Sequence, residues 1–516
     1  MRSRSDPVLR VLLLAVLLTA VPPAPAQEAQ HGGVLRVALI GEPPTLDQHW
    51  TTAHIVGNIM HHVTEGLFAL NGDLAPRPML ADRWFIAADR RLYRIGLRQG
   101  VRFHSGKELT SEDVVASLER WGRVASFGQI MFANVTAVVA VDRYTIEVKL
   151  REPYGLLVEQ LAFPTQAAVI FPKEVVDEAA GGMIKRFIGT GPYRFVEHLP
   201  DRHIRLDRFE GYQSRVEAPD GATGRKRAFF DRIYFLPVPD AAVRVAGVQR
   251  GDYEFAENIP TDEQSRLQHH RGVVAIPGTV PWRLYAILNN RRGPMAETKI
   301  RKAFQTALDY RAILQGTFGS EGFWRLEPSL MPKGTPMWTE AGKEHYNRND
   351  PARAQRLLAE AGYRGEPIRW LTTMEFPHLG ISAQIAKPAL ERAGFTIELQ
   401  FTDWATLVQR RVRPELWDVF SAQGGFVPDP TFLVELQPTW PGWFDHPDMR
   451  AMLTLLRRHG RPSVRSAIWQ RAQATWYEAA GSVKFGDFFP LHVRRPELQG
   501  YTFPHHHVFW NAWLGR

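Results

Sequence analysis

The stretch LYRIGLRQGVRFHSGKELTSEDVVASLERW, residues 92–121, decides the fold. Apolar and polar side chains alternate from Leu92 to Arg98, a pattern typical of a half-buried strand. Two glycine-containing turn signals follow, and Thr110 then begins a helix with Asp113 placed to complete a capping box. Apolar residues up to Trp121 share one face of this helix. The stretch therefore predicts a strand, a turn, a short strand and a capped helix, and it carries no catalytic chemistry.

The length and composition indicate a large globular protein. With 516 residues the chain exceeds what one hydrophobic core serves, so we expect two or three domains. Cysteine is absent, which excludes disulfides, thiolate metal sites and cysteine nucleophiles. The formal net charge of +9 falls to +7 when three arginines and one aspartate of the first 26 residues are set aside. Because no long Lys/Arg-rich run occurs, we predict no nucleic-acid partner.

The first 26 residues have the pattern of an export signal. Three arginines precede the apolar segment 11–21, which is too short to span a membrane stably, and Ala24-Pro25-Ala26 forms an A-x-A cleavage site. The pattern predicts a signal peptide over residues 1–26, cleaved after Ala26. A bacterial lipoprotein needs a cysteine at its cleavage site, so we predict a soluble mature protein that is not a lipoprotein.

Further along the chain, helix and strand signals alternate. Asp240 is placed to begin a helix that Gly251 ends, and a strand follows at 253–257. Residues 298–314 are predicted as one helix from their apolar periodicity. The segment GTGPYRF, residues 189–195, lacks the third glycine and the Lys-Ser/Thr ending of a phosphate loop, so we predict a turn there. The alternation of predicted strands and helices along this part of the chain indicates an α/β lobe.

The opening stretch and several other blocks along the chain resemble one protein family. The chain is similar to family 5 of the bacterial extracellular solute-binding proteins, the peptide/nickel-type substrate-binding proteins of ABC importers. The resemblance covers nearly the whole mature chain and rests on blocks that occur in the family's order: GGVLRVALIGEPPTLDQHW (32–50), TEGLFAL (64–70), LADRWFIAADRRLYRIGLRQGV (80–101), GTGPYRF (189–195), LPVPDAAVRVAGVQRGDYEF (236–255) and YTFPHHHVFWNAWL (501–514).

The resemblance implies an α/β, two-lobed periplasmic-binding-protein fold. It is expected to be type II-like, of the large cluster with an extra inserted domain, with hinge-connected lobes around a central cleft. Lobe I would comprise residues 27–73, 189–280 and 485–516. Residues 74–188 would form a structural domain inserted into lobe I, and residues 281–484 would form lobe II.

A glycine-containing strand end is the predicted ligand edge. It lies in SAQGGFVPDP, residues 421–430, where peptide-binding relatives pair the ligand backbone with a strand edge. Gly424 and Gly425 would allow a ligand to approach closely. From the residues alone, the same pattern also fits a simple strand-ending turn. Where peptide-binding relatives carry the aspartate that holds the ligand's ammonium group, this chain has Phe426.

The second expected anchor is also missing. Dipeptide-binding relatives hold the ligand carboxylate with an arginine in the loop that corresponds to TTMEFPHLG, residues 372–380, which contains no arginine but offers Glu375. A buried charge without a partner is disfavoured, so we expect weak binding of unmodified dipeptides.

Aromatic and acidic residues near the expected cleft are the remaining ligand-binding candidates. The chain has 15 Trp and 29 Phe, and Trp282 and Trp404 lie in blocks near the cleft, where they would favour a ring-bearing or apolar ligand body. Glu42, Glu375 and Asp403 would favour an amine on that ligand.

The resemblance implies that the protein is the periplasmic substrate-binding component of an ABC importer. It would capture a peptide-like, modified-peptide, sugar-like or other small organic solute between the lobes and deliver it to the membrane permease. A binding protein for an oligosaccharide or for a nickel or other metal chelate is the alternative, and an exported hydrolase is the alternative of another class.

The enzyme alternative lacks support from sequence motifs. Neither G-x-S-x-G nor H-E-x-x-H occurs, so we predict no enzyme activity and no catalytic residues. The adjacent His61 and His62 would face different sides of a helix, so no metal site is predicted. We also expect no cofactor, and a monomer.

Overall fold

Two α/β lobes, each built around its own mixed sheet, make up this computed structural model, as predicted. The structure describes residues 29–515 apart from 279, 320, 426, 460, 504 and 505. The predicted signal peptide therefore lies outside the described residues and stays a prediction. Within the described part of the chain, no helix has the length and apolar character that crossing a bilayer requires.

The chain begins in lobe I and then leaves it for an inserted domain. The lobe I elements are β1 (Val34–Leu39), α1 (His54–Met60) and β2 (Phe68–Leu70). The elements that follow are β3 (Pro76–Pro78), β4 (Ala81–Ile86), β5 (Leu92–Leu97), α2 (Ser111–Val124), α3 (Ser126–Phe132), β6 (Val135–Asp142), β7 (Thr145–Leu150), α4 (Leu157–Leu161) and α5 (Lys173–Ala179). Within them an antiparallel sheet forms in the order β4-β5-β7-β6.

The chain then returns to lobe I. The returning elements are β8 (Tyr193–Leu199), β9 (His203–Arg208), β10 (Arg232–Pro237), α6 (Ala241–Arg250), β11 (Phe255–Ile259), α7 (Gln264–Leu267) and β12 (Val274–Pro277), and the chain's last strands are β19 (Leu491–Arg494), β20 (Leu498–Gln499) and β21 (Trp513–Leu514). The lobe I sheet has the order β12-β19-β11-β1-β10-β9-β8, with β1 parallel to both of its neighbours.

Lobe II contains the elements that lie between β12 and β19 in the chain. They are β13 (Trp282–Leu288), α8 (Thr298–Ala307), α9 (Tyr310–Phe318), β14 (Trp324–Arg325), α10 (Pro351–Glu360), β15 (Ile368–Thr372), α11 (Pro377–Arg392), β16 (Ile397–Phe401), α12 (Trp404–Arg410), β17 (Val419–Gly424), α13 (Pro447–Arg458), α14 (Pro462–Glu478) and β18 (Val483–Phe488). Their sheet has the order β14-β18-β13-β17-β15-β16. The predicted domain boundaries stay a prediction, and the lobe II sheet itself continues to Phe488.

Two neighbouring segments connect the lobes. One lies between β12 and β13 and the other between β18 and β19. The backbone N–H of Gly278 donates to the carbonyl of Pro490 at 2.7 Å, which joins the two segments side by side. A Cβ on Gly278 would lie 2.9 Å from Cδ of Pro490, so only glycine allows this close approach. The geometry is that of a two-stranded hinge.

The opening stretch folds as its sequence predicts. Tyr93, Ile95 and Leu97 of β5 are buried, and α2 follows Thr110. The carboxylate of Asp113 accepts the backbone N–H of Thr110 at 3.0 Å, which is one half of the capping box. The helix that was expected from Asp240 to Gly251 also forms, as α6. Local polar side chains therefore set both helix starts.

The single helix predicted over residues 298–314 is wrong. The chain forms α8 and α9 instead, with extended backbone at Leu308 between them. The Asp309 carboxylate accepts the N–H of Ala312 at 3.0 Å and caps α9, while Asn347 Oδ1 accepts the N–H of Tyr310 at 2.7 Å. A cap and a tertiary hydrogen bond thus restart the helix in a new direction.

The GTGPYRF segment turns at residues 190–192, as predicted, and then continues into β8. It packs against the end of α1, because the N–H of Gly191 donates to the carbonyl of Val63 at 2.9 Å and the N–H of Tyr193 donates to that of His62 at 3.0 Å. A Cβ on Gly191 would lie 2.5 Å from the His62 carbonyl oxygen. Glycine is therefore required for close approach between two backbones.

A buried ion pair joins lobe I to the inserted domain. The side chains of Asp47 and Arg120 are both 0% exposed. Asp47 accepts Nη1 of Arg120 at 3.2 Å and the backbone N–H of Ile184 at 2.9 Å, and Arg120 Nη2 also donates to the carbonyl of Gly182 at 2.7 Å. Because both charges are fully desolvated, each depends on the other for compensation.

Candidate functional site

The space between the two lobes is walled by aromatic side chains. We call this space the interlobe chamber. Lobe I contributes residues 52–55 at the start of α1, the inserted domain contributes residues 163 and 165, and lobe II contributes the remaining wall. The aromatic lining consists of Phe163, Trp282, Phe376, Trp404, Phe432 and Trp440.

Four of the predicted ligand-binding residues line this chamber. Trp282 is the first residue of β13, and its ring meets His54 of lobe I edge-on at a centroid distance of 4.7 Å. Trp404 is the first residue of α12 and packs edge-on against Phe376 at 4.9 Å. Gly424 and Gly425, at the end of β17, also line the chamber.

The end of β17 presents backbone to the chamber. Parallel pairing of β15 with β17 stops at the Leu371–Phe420 pair, whereas pairing with β13 continues to Gly424. Residues 422–425 lie beyond the last β15 pair and line the chamber. On the side of β15, this strand end is therefore open to pairing with a ligand, which is the geometry of β-augmentation.

The other three predicted residues are placed differently. Glu375 precedes the lining residue Phe376, and its carboxylate accepts the backbone N–H of Trp404 at 2.9 Å; burial raises the pKa of Glu375. Glu42 lies outside the chamber lining, where it pairs with His198 and accepts the N–H of Asp201 at 3.3 Å. Phe426 lies outside the described residues. The ligand-binding roles of all seven residues stay predictions.

Arg411 is a chamber residue that the sequence reasoning missed. It follows the last residue of α12 and is 7% exposed. Its Nη2 donates to Thr52 Oγ1 of lobe I at 3.1 Å, and its guanidinium carbon lies 5.5 Å from the centre of the Trp440 ring. Burial lowers the pKa of the Arg411 guanidinium to about 10. Among the described residues its Nε has no hydrogen-bond partner.

Three other buried arginines of this protein, Arg120, Arg465 and Arg244, have fuller coordination. Arg120 pairs with Asp47, and Arg465 pairs with Asp429. Arg244 donates four hydrogen bonds to backbone carbonyls. Within the described part of the chain, no carboxylate forms an ion pair with Arg411, and Thr52 is its one side-chain hydrogen-bond partner. A buried guanidinium that is left this incomplete has unused donors for an anion.

The charges around the chamber are unbalanced towards positive. The described lining residues include two arginines, Arg283 and Arg411, and no aspartate or glutamate. Arg283 has a nearby counter-charge, because its Nε lies 3.9 Å from Glu435 Oε1. Asp403 uses its carboxylate to cap α12 by accepting the N–H of Thr406 at 2.8 Å. The expectation of an amine site built from Glu375 and Asp403 therefore has less support than an anion site at Arg411.

Comparisons with known proteins agree with this two-lobed architecture. A family model described as "Bacterial extracellular solute-binding proteins, family 5 Middle" matches residues 75–443. A curated protein of Sinorhizobium fredii (strain NBRC 101917 / NGR234), named a probable peptide ABC transporter periplasmic-binding protein, is 25% identical over 453 residues, which cover 84% of this chain and 85% of that protein.

Two solved structures share the fold over almost their full length. The periplasmic binding protein AgaA of A. tumefaciens R10, in complex with agropinic acid, has a TM-score of 0.82 and 22% identity and covers 94% of this chain and 99% of its own. The oligopeptide-binding protein AppA of Bacillus subtilis, in complex with a nonapeptide, has a TM-score of 0.83 and 20% identity and covers 95% of this chain and 100% of its own.

Proposed function

Because the chain belongs to family 5 of the bacterial extracellular solute-binding proteins, we propose that it is the substrate-binding component of an ABC importer. Members of this family are binding proteins, and the relative from Sinorhizobium fredii is named as one for peptides. The solute proposed here is peptide-like or another small organic molecule. It is held in the interlobe chamber and delivered to a membrane permease, without catalysis.

The observation that carries the proposal is the chamber itself. Backbone at the end of β17 is open to a ligand, aromatic rings wall the space, and Arg411 lacks a counter-charge among the described residues. A peptide-like or modified amino-acid solute supplies all three complements, namely amide groups, an apolar body and a carboxylate. We therefore assign the negative group of the solute to Arg411.

The proposed location follows from the family and the leader pattern. Extracellular solute-binding proteins act outside the cytoplasm, and the pattern of residues 1–26 favours export with cleavage after Ala26. The chain has no cysteine for a lipid anchor, so the location that we propose is a periplasm, where an outer membrane would retain the protein.

The mechanism proposed for transport is hinge closure. In this structure the lobes touch around the chamber, through Arg411 with Thr52 and through the stacked rings of Phe163 and Phe432, whose centroids are 5.1 Å apart. A solute that bridges both lobes stabilises this closed arrangement, and a permease that contacts both lobes recognises it. The two hinge segments beside Gly278 and Pro490 absorb the motion.

Small-angle X-ray scattering tests the closure. We expect the radius of gyration of the ligand-free protein to decrease when the low-mass fraction of a periplasmic extract is added, because bound solute selects the closed lobes. The same fraction should raise the unfolding temperature. A rise in unfolding temperature with an unchanged radius of gyration would contradict hinge closure.

A further inference from the structure

The space between the lobes continues beyond Arg411 into a second cavity, which we call the outer chamber. Lobe I contributes residues 44–45 and 50–52 to its lining, the inserted domain contributes residues 126, 166 and 183, and lobe II contributes residues 408–409, 411–412 and 440–441. Thr52, Arg411 and Trp440 line both this chamber and the interlobe chamber. The two chambers are therefore contiguous at Arg411.

The three shared residues form a partition between the chambers. Thr52 Oγ1 of lobe I accepts Nη2 of Arg411 at 3.1 Å and lies 3.5 Å from Nε1 of Trp440. Because Arg411 and Trp440 belong to lobe II, separation of the lobes breaks these contacts. A solute can therefore reach both chambers while the lobes are open, and closure then places Arg411 between its two parts.

The two chambers differ in the size of the group that they can hold. The free space is about 90 Å³ in the interlobe chamber and about 380 Å³ in the outer chamber. A cavity of about 150 Å³ is large enough to bind benzene. In this closed arrangement a ring-bearing group therefore fits the outer chamber, and only a smaller group fits the interlobe chamber beside the end of β17.

Three large apolar side chains are exposed in the outer chamber. Trp50, Met183 and Val412 line it, and they are 43%, 44% and 58% exposed. They belong to lobe I, the inserted domain and lobe II, so closure of the lobes brings three apolar surfaces to one cavity. An apolar group bound there would remove these surfaces from water, which stabilises the complex.

The charge of the outer chamber limits what it can bind. Among its lining residues that the structure describes, Arg411 is the one charged side chain. An ammonium group in this chamber would therefore lack a counter-charge, whereas a carboxylate at the partition meets the guanidinium. The group that fits the chamber itself is uncharged.

We propose that the outer chamber binds the large apolar or ring-bearing part of the solute, while its negative group meets Arg411 and a small uncharged part lies in the interlobe chamber. The proposal rests on the proposed function and narrows its substrate class to carboxylates with a large apolar group on one side and a small uncharged group on the other. N-acetylated amino acids with an apolar side chain have this form. A permease segment would also cover the three exposed side chains, but the continuity of the chamber with Arg411 favours the solute.

A series of N-acetyl amino acids with side chains of increasing size tests this directly. Isothermal titration calorimetry of the full mature protein with the N-acetyl derivatives of glycine, alanine, leucine and phenylalanine should give a dissociation constant that falls along the series. The fall from first to last should be about tenfold or more, because a larger apolar side chain leaves water for the outer chamber. An affinity that does not change with the side chain, or no binding of any member, would overturn the proposal.

Removing the apolar walls by mutation supplies the second test. Trp50→Ala and Met183→Ala should each weaken binding of N-acetylphenylalanine about fivefold or more and leave N-acetylglycine unchanged. The matched controls are Trp84→Ala and Met374→Ala, whose side chains are 40% and 46% exposed and line neither chamber. Both controls should leave the whole series unaltered.

Trp50 and Met183 lie in different parts of the chain, so misfolding of one variant leaves the other informative. Binding of N-acetylphenylalanine that is unchanged by both substitutions would contradict the proposal and favour a permease contact at these side chains.

Failure of this inference is distinguishable from failure of the proposed function. If solute from the periplasmic extract still closes the lobes while the N-acetyl series shows no dependence on side-chain size, the importer role stands and the assignment of the outer chamber falls. If neither the extract nor the series changes the radius of gyration, both fail.

Discussion

Replacing Arg411 with glutamine is expected to weaken solute binding at least about 30-fold. The guanidinium is buried in the interlobe chamber, with Thr52 as its one side-chain hydrogen-bond partner among the described residues. Removing one member of a buried, hydrogen-bonded charge pair costs about 2 kcal/mol or more, which corresponds to this loss. Isothermal titration calorimetry with the solute released from the purified protein measures it.

The controls separate binding from folding. Arg410→Gln changes the adjacent, exposed arginine and should leave the affinity unchanged. Arg411→Lys keeps the charge but loses the planar pair of donors, so its affinity should lie between that of the unmutated protein and that of Arg411→Gln. The unliganded Arg411→Gln variant should unfold at the same temperature as the unmutated protein or at a higher one, because a desolvated charge has been removed. An affinity equal to that of the unmutated protein would contradict the assignment.

Replacing Asp47 with alanine should lower the free energy of unfolding by about 3–5 kcal/mol. The substitution leaves the Arg120 guanidinium, which is 0% exposed, without its counter-charge. It also removes the acceptor for the backbone N–H groups of His49 and Ile184. The urea midpoint of the first unfolding transition, followed by circular dichroism, measures the effect.

Two comparisons test the cause of this loss. Asp177→Ala removes the acid of the exposed Lys173–Asp177 pair, whose side chains are 48% and 59% exposed, and should change stability by less than about 0.5 kcal/mol. Asp47→Ala combined with Arg120→Met removes both buried charges and should recover much of the loss. Equal effects of Asp47→Ala and Asp177→Ala would show that the Asp47–Arg120 pair does not contribute as described.

Local signals in the sequence predicted much of the fold. The Thr110–Asp113 capping box and the Asp240 cap depend on residues three positions apart, and both helices begin where expected. The break between α8 and α9 was not predicted because apolar periodicity continues through it. The Asp309 cap was a visible signal, but the hydrogen bond from Tyr310 to Asn347 joins residues 37 positions apart and no local pattern indicates it.

The candidate site also contains some residues that the sequence could indicate and one that it could not. The glycines at the end of β17 and the aromatic residues Trp282 and Trp404 could be selected by residue type and position. Arg411 could not be selected in this way, because an arginine stands out as a ligand-binding candidate only once it is known to be buried. Its burial depends on distant packing, since its partner Thr52 is 359 residues away in the other lobe. One signal was available: Arg411 is seven residues, or two helical turns, after Trp404 and therefore lies near the same helix face.

Glu42 was selected from the sequence, but the structure gives its carboxylate a partner within the protein. An acidic residue in a turn near the expected cleft was a reasonable ligand partner, yet its carboxylate pairs with His198 on β8, 156 residues away. The choice of ion-pair partner depends on how distant segments pack. Sequence reasoning of this kind therefore identifies a cleft and its wall more readily than the ion pairs that surround it.

The most direct test of the central claim is native mass spectrometry of the protein purified from a periplasmic extract. The account predicts one small organic molecule bound per protein chain, carrying at least one carboxylate, released chemically unchanged on unfolding and absent from the Arg411→Gln variant. A bound solute without an acidic group, or one that the protein converts into a different product, would contradict it.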